Sequence, residues 1–262
     1  MRLLSVSVLK LIHRPASRIT LLALLGLMAL IYGSIAASTF AAPGTAGDTG
    51  FESVLGFPDA YGSLASMLLN FAGLALAAYA GAVAGSEWSW GAFRVAIARG
   101  ASRPGYVVAT FGAIALLALV AWILVYVAGV AFALVAGSVA GIPSGDPLDP
   151  TTLGRLPIGL AAGWLAIVMS GAIAFAVAFA ARSAVAGIVA VVALTFGEQF
   201  AALVVPADVL RNAPISASAR LAAEALRGGT PGELAGPLAL TALYLVLALV
   251  AAGLVARRAE VA

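Results

Sequence analysis

Few side chains in this chain are equipped for chemistry. It has one histidine, His13, one lysine, Lys10, and no cysteine. Without cysteine there is no disulfide framework, thiol nucleophile or cysteine metal site. One histidine builds neither a histidine metal cluster nor a base for a distant serine. Lys10 stands outside any G-x-x-x-x-G-K-[ST] loop, so the sequence carries no phosphate loop. Asp146 and Asp149 sit beside Pro147 and Pro150, where turn chemistry accounts for them. The polar groups left to explain are Glu87 with Arg94 in an aromatic segment, Asn70 and Glu198 in apolar surroundings, and Lys10, His13 and Arg14 near the N-terminus. No metal site and no catalytic residue are expected, and the chain reads as a non-enzyme.

The elements that position these groups follow from composition. Of 262 residues, 63% are apolar and 10% charged, and the mean hydropathy is +1.10. A soluble domain carries about 25% charged residues, and one core cannot hide so much apolar sequence. Soluble enzyme classes are thereby excluded. Crossing a bilayer core of about 30 Å takes about 20 apolar helical residues. Stretches free of charge, trimmed at Gly, Pro and Ser, place spans near 19–40, 61–84, 106–138, 158–181, 184–205 and 237–256. The stretch 104–145 has no turn residue at its centre, Ala121 to Tyr126, and a hairpin there would expose backbone groups to lipid. It is read as one long helix.

Charge sets the orientation. With both termini cytoplasmic, Arg2, Lys10, Arg14, Arg18, Arg94, Arg99, Arg103, Arg182, Arg257 and Arg258 lie inside, against Arg155, Arg211, Arg220 and Arg227 outside. Asp48, Glu52, Asp59, Asp146, Asp149, Asp208, Glu224 and Glu233 then all lie outside. The expected fold is an all-α polytopic membrane protein, one domain over 1–262. A cleaved signal peptide ending near Ala36-Ala37-Ser38 is disfavoured, because the apolar run is long for one and five spans follow. The net charge of +3 follows from topology and does not indicate nucleic-acid binding.

Residues 2–14 project as an amphipathic helix, with Leu4, Val8, Leu11 and Ile12 on one side and Ser7, Lys10, His13 and Arg14 on the other. This predicts an interface helix within 1–17 with its basic side towards headgroups or a partner, or simple positive-inside anchoring. In the cytoplasmic segment 85–105, Ser89 as N-cap and Gly100 as C′ residue predict a short helix near 90–99. On it Trp90, Phe93 and Ile97 share a face with Arg94 at its edge. Such a helix suits docking in a groove of another protein, or an aromatic belt with snorkelling arginines.

Those residues resemble an ABC-2-type ABC transporter permease, the membrane subunit of a multi-subunit exporter. Lys10, Arg14 and Pro15 match the family's start. Glu87, Trp88, Gly91, Ala92, Phe93 and Arg94 match its motif of Glu, aromatic, two residues, Gly, small, apolar, Arg, and Ser102-Arg103 matches the pair before the third span. The family often has Thr at Ala92 and a Lys where Ala109 and Thr110 stand, so no role is carried over for that lysine. The resemblance implies a dimer of permease chains, identical or related, in the plasma membrane. Two separate ATPase subunits beneath it would bind ATP and Mg; no cofactor is expected in this chain. It makes Glu87, Trp88, Trp90, Gly91, Phe93 and Arg94 a coupling helix, the helix with Lys10, His13 and Arg14 an interface helix, and 206–236 outer re-entrant pieces.

Within the spans, Glu198 is the one formal charge, and a carboxylate in lipid costs at least a few kcal/mol. It either lies in the translocation route or sits at the outer rim after a helix break at Gly197. Asn70 is read as hydrogen-bonding across helices or lining a polar route. Gly73, Ala77, Gly81 and Gly85 form a small-residue face for helix packing. The alternative to a permease is an autonomous secondary transporter or channel using Glu198. An intramembrane enzyme is disfavoured, because the spans hold no paired base or metal cluster.

Overall fold

A computed structural model describes residues 2–41 and 52–258. Met1, residues 42–51 with Asp48, and 259–262 lie outside the described residues. In chain order the elements are α1 (Arg2–Ile12), α2 (Pro15–Ala41), α3 (Glu52–Leu55), α4 (Asp59–Ser89), α5 (Ala92–Ala98), α6 (Arg103–Ala140), α7 (Pro150–Ala181), α8 (Ala184–Ala201), α9 (Ala207–Leu210), α10 (Pro214–Arg227) and α11 (Pro231–Arg258). Six of them, α2, α4, α6, α7, α8 and α11, are long and apolar enough to cross a membrane, and the described residues form no strand. The chain is an all-α, multi-pass membrane protein.

Local sequence explains most of the boundaries. Pro15 opens α2, where a missing N–H costs nothing. The Asp149 carboxylate accepts the amides of Thr151 (3.4 Å) and Thr152 (2.9 Å), and Pro150 takes the first helical position of α7. The long apolar stretch is one helix: α6 runs 38 residues without a break and stops where Gly141 turns left-handed, φ +70°.

Burial divides the spans into two sets. Within their apolar windows α7 is 67% buried, α4 50% and α6 39%, against 17% for α8 and 11% for α2 and α11. The first three make the centre, and the others leave most of their surface uncovered. Apolar side chains gain little by leaving lipid for one another, so close backbone approach at small residues has to hold such helices together. The predicted small-residue face of α4 does this. A Cβ on Gly85 would strike the Ala184 backbone, and one on Gly81 would lie 3.3 Å from the Ala184 carbonyl oxygen. Ala77 packs with Ala174 and Val191, and Gly187 of α8 in turn faces the Ala174 backbone of α7.

α1, the end of α11, α5 and the α7–α8 turn lie at one end of the bundle, called here the inner face because it carries the basic excess. At the other end α10 buries Ala217, Leu221, Ala222 and Ala225, Leu221 and Ala225 alongside Ala162 of α7. The segment read as outer re-entrant pieces therefore contains α9, the amphipathic α10 and the start of α11.

Candidate functional site at the inner face

The structure corrects the local reading of 85–105. No residue between Gly85 and Ser89 breaks α4, which runs on through Ser89, so Glu87 and Trp88 occupy its last turn. Ser89 is not an N-cap. The chain reverses at Gly91, φ +67°, a left-handed conformation that suits glycine, and α5 follows. Trp90 therefore stands outside the helix and does not share a face with Phe93. It is 70% exposed, with the Arg14 guanidinium 5.0 Å from its ring centre, whereas Phe93 is fully buried. Gly100, φ +89°, does end α5 as expected.

Glu87 is only 1% exposed. Its Oε1 accepts from Lys10 Nζ at 2.7 Å and from Arg14 Nη2 at 3.1 Å; its Oε2 accepts from Lys10 Nζ at 3.0 Å and from the Tyr106 hydroxyl. Arg14 Nη1 also donates to Ser86 Oγ at 3.0 Å. A buried carboxylate has to be compensated by charge and hydrogen bonds, and this one has both, from α1, α6 and the α1–α2 junction. Of the predicted basic side, Lys10 and Arg14 thus turn towards Glu87. Leu4, Val8 and Leu11 also pack inward, while Ile12 stays exposed. His13 is exposed, its Nδ1 2.9 Å from the Leu9 carbonyl oxygen.

An aromatic cluster adjoins this ion pair. Phe93 meets Trp88 (ring centres 5.0 Å apart), Phe179 (5.3 Å) and Tyr106 (5.6 Å), so one side chain ties α5 to α4, α7 and α6. Arg182, held left-handed at the end of α7, stacks 4.6 Å over Trp88. Arg94 and Val95 of α5 point outward. Between α1, α5 and the start of α6 lies a cavity of about 570 Å³, with Glu87, Tyr106 and Arg99 in its wall.

Tyr106, Phe179, Arg182 and Ser86 escaped the sequence reading. Tyr106 had the best available signal, a phenol one turn inside a basic helix start. Nothing local marks Phe179, because an aromatic in an apolar span looks like any other core residue.

The two candidates within the spans are placed apart from this cluster. The predicted break at Gly197 is absent, and α8 continues to Ala201. Glu198 instead accepts the backbone amides of Ile215 (2.9 Å) and Ser216 (2.8 Å) and the Ser216 hydroxyl (2.7 Å), capping the start of α10 from a neighbouring helix. Among the described residues Asn70 makes no hydrogen bond across helices. Its amide donates to Ser66 O, 3.0 Å away in its own helix, beside a pocket of about 60 Å³ shared with Ser170, Thr195 and Ser218. Among the described residues no three His, Asp or Glu stand close enough to hold a metal.

No family model, curated protein or solved structure matches this chain.

Proposed function

We propose that this chain is the membrane subunit of an ATP-driven ABC exporter of the ABC-2 type. Two permease chains would form the translocation pathway across the plasma membrane, and separate ATPase subunits at the inner face would bind ATP and Mg. The observation that carries the reading is the construction of α5. Its outer side, with Arg94 and Val95, is free to meet a partner, while Phe93 is locked between Trp88, Tyr106 and Phe179. A push on a helix seated in this way reaches three central spans at once, because close-packed interiors transmit displacement. Through Glu87 the same push reaches α1. The sparsely buried faces of α2, α8 and α11 leave room for a second chain. An ion-coupled carrier built on Glu198 is less well supported, since that carboxylate is engaged by α10.

The test is to tag the chain, co-express its chromosomal neighbours, purify mildly and assay ATP hydrolysis. A co-eluting phosphate-loop protein with vanadate-sensitive activity is the expected outcome. A chain that purifies alone and moves solute along an ion gradient in liposomes would replace the exporter with a secondary transporter.

A further inference from the structure

Between α2, α4 and α6 lies a cleft of about 210 Å³ that the coupling machinery does not use. Its walls are aliphatic over most of their length. Along α4 they run from Tyr79 to Leu68, and along α6 from Ile114 to Val125. Each path is about 16 Å at 1.5 Å per residue, half of the about 30 Å bilayer core, which is the depth of one leaflet. Val120 and Leu124, both exposed, form its lip towards lipid, and Trp122 lines its deep end.

Polar groups collect at the inner-face mouth alone. There Ser17 Oγ and Tyr79 OH satisfy each other at 2.8 Å. Arg18, exposed and in the first turn of α2, has no ion-pair partner among the described residues. A one-leaflet apolar slot with a free guanidinium at its headgroup end is complementary to one kind of molecule.

We propose that this cleft binds an anionic phospholipid of the inner leaflet, one acyl chain lying between α2, α4 and α6 and the phosphate on Arg18. The ion pair to phosphate gives the site its preference, and the slot supplies affinity that any acyl chain shares. The site stands whether or not the chain is an exporter subunit.

Trp122 makes the proposal measurable. In the full chain with Trp88, Trp90 and Trp164 changed to Phe, Trp122 is the sole tryptophan. This reporter is reconstituted in phosphatidylcholine vesicles containing an increasing minor fraction of either phosphatidylglycerol or phosphatidylcholine with brominated chains. The expected result is quenching of Trp122 at about fivefold lower content of the brominated anionic lipid, the ratio for one arginine at an anionic surface. Arg18→Gln should abolish the difference, Arg18→Lys should keep it, and Ala121→Phe, which fills the slot, should weaken quenching by both lipids. Equal quenching by the two lipids, or a preference that survives Arg18→Gln, would overturn the proposal and leave the cleft to a second chain. Native mass spectrometry of the unaltered chain gives an independent reading. A retained phosphatidylglycerol lost in Arg18→Gln supports the site, and a bare chain, or an adduct equally retained in the variant, refutes it.

Discussion

Glu87 Oε1 lies 2.7 Å from Lys10 Nζ, although 77 positions separate them in the chain. Arg14 and Tyr106 complete the shell, so one carboxylate latches α1 to the inner ends of α4 and α6. Glu87→Gln leaves two cations around a neutral group and should lower stability by about 3 kcal/mol, the lower end for breaking a buried pair, since Lys10 keeps contact with water. Thermal unfolding in detergent measures this, and limited proteolysis should show the first 14 residues released. Adding Lys10→Met should recover part of the loss. An unchanged melting temperature in Glu87→Gln would refute the latch.

Phe93 and Arg94 are neighbours with opposite duties. Phe93→Ala empties the centre of the aromatic cluster and should cost about 3–5 kcal/mol. Arg94→Ala, on the exposed side, should leave stability within about 0.5 kcal/mol yet reduce ATP hydrolysis stimulated through the chain in the co-purified complex. Because Glu87 variants also loosen the fold, Arg94 is the cleaner probe of coupling. Full stimulation in Arg94→Ala would remove α5 from the contact.

Two glycines provide a packing test. Gly85→Val drives a side chain into the Ala184 backbone and should destabilise by about 1–3 kcal/mol or more. Gly26 of α2 has nothing within 4 Å of an added Cβ, so Gly26→Ala should be neutral or gain up to about 1 kcal/mol from helix propensity. Equal melting temperatures for the two variants would mean that α4 and α8 do not meet at this seam.

Glu198→Ala removes the acceptor for the first amides of α10 and should cost about 1.5–3 kcal/mol, the range for hydrogen bonds to charged groups. The specific readout is faster hydrogen exchange at Ile215 and Ser216, with α7 unchanged. Unaltered exchange there would show that the carboxylate does not cap α10.

At the outer end, hydrogen bonds from Thr151 and Thr152 hold the Asp149 carboxyl well below its ordinary value, down to about 2. The folded state thus favours the charged form. Its stabilising contribution is complete above the ordinary carboxylate range and is lost as pH falls towards 2. The melting temperature of the native chain should exceed that of Asp149→Ala at neutral pH, and the gap should close between about pH 4 and 2. A gap that stays constant through that window would mean the cap does not depend on the carboxylate's charge.

Membrane residence, the six long helices and the unbroken third span were all legible in the sequence. Each depends on local quantities, namely apolar length against bilayer thickness and the absence of a turn residue between Ala121 and Tyr126. The face of Gly73, Ala77, Gly81 and Gly85 was legible for the same reason, since a helix repeats its neighbours every three or four residues. What the polar side chains do was decided by tertiary structure. Lys10 and Arg14 carry the same amphipathic signature whether they face headgroups or a carboxylate, and only the packing of α1 against α6, which sets it next to Glu87 at the end of α4, turns them inward. Glu198 reads as a costly charge in an apolar span until α10 folds back and offers its amides. Sequence spacing records which residues share a helix face, but it does not say which distant helix will supply the opposite charge or the unsatisfied N–H.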